Sequence, residues 1–107
     1  MERLHMTTKS FYRRRFLNRR GFHPGAYVLA ECKIETRRPG SGPAQHTVNA
    51  EFRIADCGRV ASLDSDVDSE PSADNALRKA RLLRDTLIDF TASLEATVAD
   101  WHDLKNS

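Results

Sequence analysis

The sequence predicts an α+β fold: a short basic N-terminal helix, a three-stranded antiparallel meander and one long C-terminal helix packed on the sheet, in the order α-β-β-β-α. Three observations carry this. Apolar and polar residues alternate in three consecutive segments between Ala26 and Val67, the period of a half-buried strand. Apolar residues then recur at threes and fours from Ala76 to Trp101, the period of an amphipathic helix. Short stretches with Gly or Pro separate the segments, and a short link such as the one between the second and third strands makes antiparallel neighbours.

Taken in order, Ser10 is placed to cap a helix from Phe11 to Arg20, with Gly21 just past its end. Tyr12 and Phe16 stand four apart and would share its inner face, leaving the arginines outside. His23-Pro24-Gly25 ends any helix, because proline lacks the amide donor and restricts its predecessor. From Ala26 to Thr36, Val28, Ala30, Cys32 and Ile34 alternate with Glu31, Lys33 and Glu35. Thr47 to Asp56 repeats the pattern with Val48, Ala50, Phe52 and Ile54 inward. Asp56-Cys57-Gly58-Arg59 is a turn, with Gly58 able to take a positive φ, and a third strand follows from Val60 to about Val67. Ser69 or Ser72 caps the last helix, with Pro71 and Asp74 suited to its start. Its apolar positions are Ala76, Leu77, Ala80, Leu83, Leu87, Phe90, Leu94, Val98 and Trp101. A helix reaching Asp103 is about 45 Å long and outruns a strand of eight to ten residues, at about 26 to 34 Å.

The domain organisation read from this is a flexible N-terminus over residues 1–9 and a single α+β domain over 10–105, with a flexible loop at 37–46 where Pro39, Gly40, Ser41, Gly42 and Pro43 crowd together. At 107 residues the chain suits one domain with a modest core. No run approaches the roughly 18 to 20 apolar residues of a membrane span. Cys32 and Cys57 are too few and too separated for a disulfide framework or a metal knuckle, and a reducing cytoplasm is the expected compartment. The acid-free start also has the composition of an organellar transit peptide, but the charged strand near Tyr27 comes too soon for a cleavable leader and its spacer.

Charge is the strongest functional signal. No acidic residue lies between Arg3 and Ala30, where Arg3, Lys9, Arg13, Arg14, Arg15, Arg19 and Arg20 are interleaved with Phe11, Tyr12, Phe16 and Phe22. Cut after Gly40, ten basic and three acidic residues give +7, and seven basic and twelve acidic give −5, so the net charge of +2 hides an asymmetry. Arginine forks match phosphate oxygens, and aromatic rings stack on unpaired bases. The expected nucleic-acid contacts are therefore Lys9, Arg13, Arg14, Arg15, Arg19 and Arg20, with Arg37 and Arg38 as outer members; a solvated arginine face over a docked helix is the plainer alternative.

The rival reading is a protein-interaction module. It would be a homodimeric regulator or inhibitor, of the kind small phage and mobile-element proteins often are, using Phe90, Leu94, Val98 and Trp101 of the overhanging helix and the acidic strand end. Asp64, Asp66, Asp68 and Glu70 alternate like calcium ligands, but the glycine needed at the sixth loop position is Ser69 and the twelfth position is Asn75. They read better as the polar face of a strand end that charges the helix N-terminus. No catalytic residue, cofactor or metal is expected: His5, His23, His46 and His102 are scattered, and a pairing of Cys57 with His46 competes with a small thiol and a solvated histidine. The order helix, three strands, helix over about residues 11 to 95 resembles the double-stranded-RNA-binding domain in topology. That family grips phosphates with lysines at the start of its last helix, whereas Ser72-Ala73-Asp74-Asn75-Ala76 carries none.

Overall fold

A computed structural model describes residues 4–107. Its order is β1 (Leu4–Phe16), β2 (Tyr27–Arg38), β3 (Gln45–Asp56), β4 (Arg59–Val67) and α1 (Glu70–Lys105). The strands form one antiparallel sheet in the order β1-β2-β3-β4. This corrects the expected α-β-β-β-α order: among the described residues no helix precedes the sheet, and the three expected strands are β2, β3 and β4 of a four-stranded sheet. The topological resemblance to the double-stranded-RNA-binding domain goes with the helix on which it depended.

The segment expected as a helix is a strand for a reason visible in its register. Residues four apart share a face in a strand as well as in a helix, so Tyr12 and Phe16 do not discriminate between the two. Pairing shifts between Lys9 and Phe11, leaving Ser10 as an extra residue. Met6 and Thr8 therefore lie on the same face as Phe11, Arg13 and Arg15, and the bulge interrupts the alternation by which a strand is recognised. Ser10 Oγ donates to the Cys32 carbonyl at 3.3 Å. The Thr and aromatic content favours a pleated strand, where the amides pair with β2 rather than form a marginal ten-residue helix. β1 thus takes in Thr7, Thr8 and Lys9, ahead of the point where the sequence places the start of the domain.

Leu17 N–H donates to the Ala26 carbonyl at 2.9 Å, closing the connection from β1 to β2. Within it Asn18 Nδ2 donates to the His23 carbonyl at 2.7 Å, and Gly21 takes φ 96° in the turn from Arg19 to Phe22. Ala26 and Ala55, at 4% and 3% exposure, are the only buried hydrophobic residues among those described.

The hairpin between β3 and β4 places both Cys57 (φ 49°) and Gly58 (φ 81°) in the left-handed region, the backbone of a two-residue turn whose twist matches the strands. Gly58 adopts it without strain, but Cys57 does not. Cys57→Asn is expected to stabilise the chain by about 0.5 kcal/mol and raise Tm by roughly 2–4 °C in thermal unfolding.

The chain divides into two compact units, Met1–Ala73 and Asp74–Ser107. At the start of α1, Ser69 caps the helix. Ser72 N–H donates to Ser69 Oγ at 3.2 Å, and Ser72 Oγ lies 3.0 Å from Ser69 N and 3.3 Å from Asp68 Oδ1. This is a reciprocal cap with serine in the place usually held by glutamate. α1 has 36 residues and is about 54 Å long at 1.5 Å per residue. No residue of α1 is buried.

Candidate nucleic-acid interface

The ladder assigns each β1 side chain to a face. Arg13 and Arg15 lie opposite Ala30 and Val28, and Phe11 opposite Cys32. They share the apolar face with Phe52, Ile54 and Leu63. Arg14 lies opposite Leu29 and Tyr12 opposite Glu31. Their face is polar and carries Lys33, Glu35, Glu51, Arg53 and Asp66. The arginines therefore do not form one outward surface over docked aromatics. Because β1 is an edge strand, they line the rim of the sheet from both sides.

At this rim the rings are open to solvent: Phe16 is 65% and Phe22 71% exposed. The Arg14 guanidinium lies 5.3 Å from the centre of the Phe16 ring and 5.6 Å from that of Tyr27, and Arg13 lies 5.2 Å from that of Phe11. Stacking of this kind holds a guanidinium flat and leaves its N–H edge directed outward. Among the described residues no carboxylate forms an ion pair with Arg13, Arg14, Arg15, Arg19 or Arg20. An open concavity of about 260 Å³ beside the strand end is lined by Phe16, Asn18, Arg19, Arg20, Phe22 and Pro24 among others.

The remaining expected contacts lie apart from this group. Lys9 Nζ is 3.2 Å from Glu31 Oε2 and 5.0 Å from the Tyr12 ring centre, so its charge is already engaged. Arg37 Nη2 is 3.7 Å from Glu35 Oε2. Arg37 and Arg38 pair with His5 and Leu4, at the end of the ladder away from Arg13, about 25 Å along the strands at roughly 3.3 Å per residue. Arg3 lies outside the described residues. The sequence reading missed Tyr27, which shares Arg14 with Phe16; its place opposite Phe16 follows only from the β1–β2 register.

Other candidates fall into place around the sheet. On the polar face Arg53 Nη2 is 2.8 Å from Glu51 Oε2, and that hydrogen bond, with the charge of Glu51 and help from Tyr27, holds the guanidinium above its ordinary pKa. Asp64 and Asp66 lie on this face opposite Glu51 and Asn49. Among the described residues, no three His, Cys, Asp or Glu side chains gather as metal ligands do. His46 is the second residue of β3 and Cys57 lies just past its last, about 36 Å apart along the strand. His46 Nδ1 is 2.9 Å from Thr36 Oγ1. Asp56 accepts a hydrogen bond from the Cys57 thiol and repels its thiolate, pushing the thiol above its usual range, the reverse of what a nucleophile needs. On α1, Phe90, Leu94, Val98 and Trp101 are 60%, 49%, 41% and 53% exposed. No helix among the described residues is long and apolar enough to cross a membrane.

Fold and surface together define an α+β chain with a two-sided antiparallel sheet, a basic aromatic rim and a long exposed helix. Comparison with protein families, curated proteins and solved structures finds no match to this chain.

Proposed function

We propose that the chain is a small binding module whose β1 rim engages single-stranded nucleic acid. The observation that carries this is the coincidence, on one edge strand and its following turn, of five arginines with no carboxylate partner and rings exposed beside them. Phosphates supply the charge this rim lacks, and unpaired bases supply faces for Phe16 and Phe22. A duplex is the poorer ligand, because its stacked bases cannot meet those rings. Phe11, Tyr12 and Phe16 serve here as exposed stacking surface rather than as helix anchors.

The test is fluorescence anisotropy with a labelled strand of about 20 nucleotides and the matching duplex, at about 50 mM salt. The single strand should bind more tightly, and Phe16→Ala with Phe22→Ala should weaken it about 10- to 100-fold, at roughly 1 kcal/mol or more per stacked base. No binding of the single strand at that salt overturns the reading. Equal affinity for both forms, unaffected by loss of the rings, overturns the single-strand part of it.

A further inference from the structure

The spacing along α1 is stricter than that of a general amphipathic helix. Ala76, Ala80, Leu83, Leu87, Phe90, Leu94, Thr97, Trp101 and Leu104 follow one another at alternating steps of four and three, the repeat of a coiled-coil seam held for four heptads. Thr97 fits the seam because its hydroxyl donates to the Ser93 carbonyl at 2.7 Å, leaving its methyl group to be covered. Leu87, Phe90, Leu94, Trp101 and Leu104 are 41% to 76% exposed, while Ala76 and Leu83 are half-buried.

Between its terminal turns α1 is polarised in charge. Between Asp74 and Asp85 stand Arg78, Lys79, Arg81 and Arg84 with no acid, and from Asp85 to Asp103 stand five acids with no Lys or Arg. The terminal turns suit the helix dipole, with Glu70 in the first and His102 and Lys105 in the last, but along the interior like charges three or four apart repel. Sizes are polarised the same way: Ala73, Ala76 and Ala80 lie towards one end of the seam, Trp101 and Leu104 at the other.

We infer that α1 pairs with α1 of a second copy, antiparallel, about a twofold axis between residues 88 and 89. One register satisfies every layer of the seam. Leu87 meets Phe90 of the other copy, Leu83 meets Leu94, Ala80 meets Thr97, Ala76 meets Trp101 and Ala73 meets Leu104. Each small residue faces a larger one, as close packing requires. The same register sets Lys79 beside Asp100 and Leu77 beside Val98 at the flanks, and lays the basic half of each helix along the acidic half of the other. Parallel pairing would stack Ala76 on Ala76, Trp101 on Trp101 and Lys79 beside Arg84, leaving voids, crowding and repulsion. The seam itself offers apolar area for such an interface, with Leu87, Phe90, Leu94, Trp101 and Leu104 each more than two-fifths exposed. This inference stands independently of nucleic-acid binding.

Disulfide trapping tests both the association and its direction. In full-length protein carrying Cys32→Ala and Cys57→Asn, Ala80→Cys is placed in one preparation and Thr97→Cys in another. Mild oxidation should give a covalent dimer only after the two are mixed, because two copies of residue 80 would lie about 26 Å apart along the pair at 1.5 Å per residue. Sedimentation of the native chain should give twice its 12.1 kDa mass. A covalent dimer from Ala80→Cys alone means parallel pairing and overturns the register. A dimer by sedimentation with no trapped species overturns the helix as its seam. A native chain that sediments as a monomer at about 100 μM overturns the association itself.

Discussion

Replacing Arg13, Arg14 and Arg15 together with alanine is expected to lower affinity for a single strand about a hundredfold at low salt. Each guanidinium is taken to supply about 1 kcal/mol through a charge-assisted phosphate contact, and 3 kcal/mol is rather more than two powers of ten. The fold should survive. These residues sit on an edge strand, two of them are held by ring contacts rather than ion pairs, and alanine leaves the β1 ladder intact. Circular dichroism and Tm should therefore change little while anisotropy changes greatly. Arg37→Ala with Arg38→Ala supplies the contrast. At the far end of the ladder, with Arg37 already near Glu35, this pair should cost less than fivefold.

The second large effect concerns α1. Leu87→Asp should abolish self-association, because twofold symmetry repeats the change and places an aspartate against Phe90 in each of the two central layers. Loss of a buried leucine costs about 2–5 kcal/mol, and the buried carboxylate adds to it. The dissociation constant should rise more than a thousandfold, read by sedimentation equilibrium. Ile88→Asp is the control: Ile88 is 58% exposed and lies one position off the seam, so the same chemical change there should leave the dimer in place.

The sequence made the later elements legible because each obeys a single period. Val28 to Ile34 and Val48 to Ile54 alternate without a break, and two residues with positive φ hold the turn between β3 and β4. In β1 the register shift at Ser10 inverts the phase between Thr8 and Phe11, so no uniform alternation exists to be read. The four-residue spacing of Tyr12 and Phe16 then satisfies either period. The arginines were legible as a group because charge is counted without a fold. Their division between two faces was not, since face assignment needs the register. The pairing of Arg14 with Tyr27 was hidden for the same reason, as it joins residues thirteen apart across a ladder. On α1 the spacing of threes and fours was legible, but the direction of the inferred pairing rests on comparing sizes and charges at both ends.

The salt dependence of single-strand binding tests the β1 rim most directly. Five phosphate contacts by Arg13, Arg14, Arg15, Arg19 and Arg20 predict that the logarithm of affinity falls against the logarithm of salt with a slope near −3.5, at about −0.7 per contact. That is about a hundredfold loss between 50 and 200 mM. The triple alanine chain should show a slope near −1.4. Absence of binding at 50 mM, or a slope that does not change when the three arginines are removed, would contradict the assignment of the rim as the binding surface.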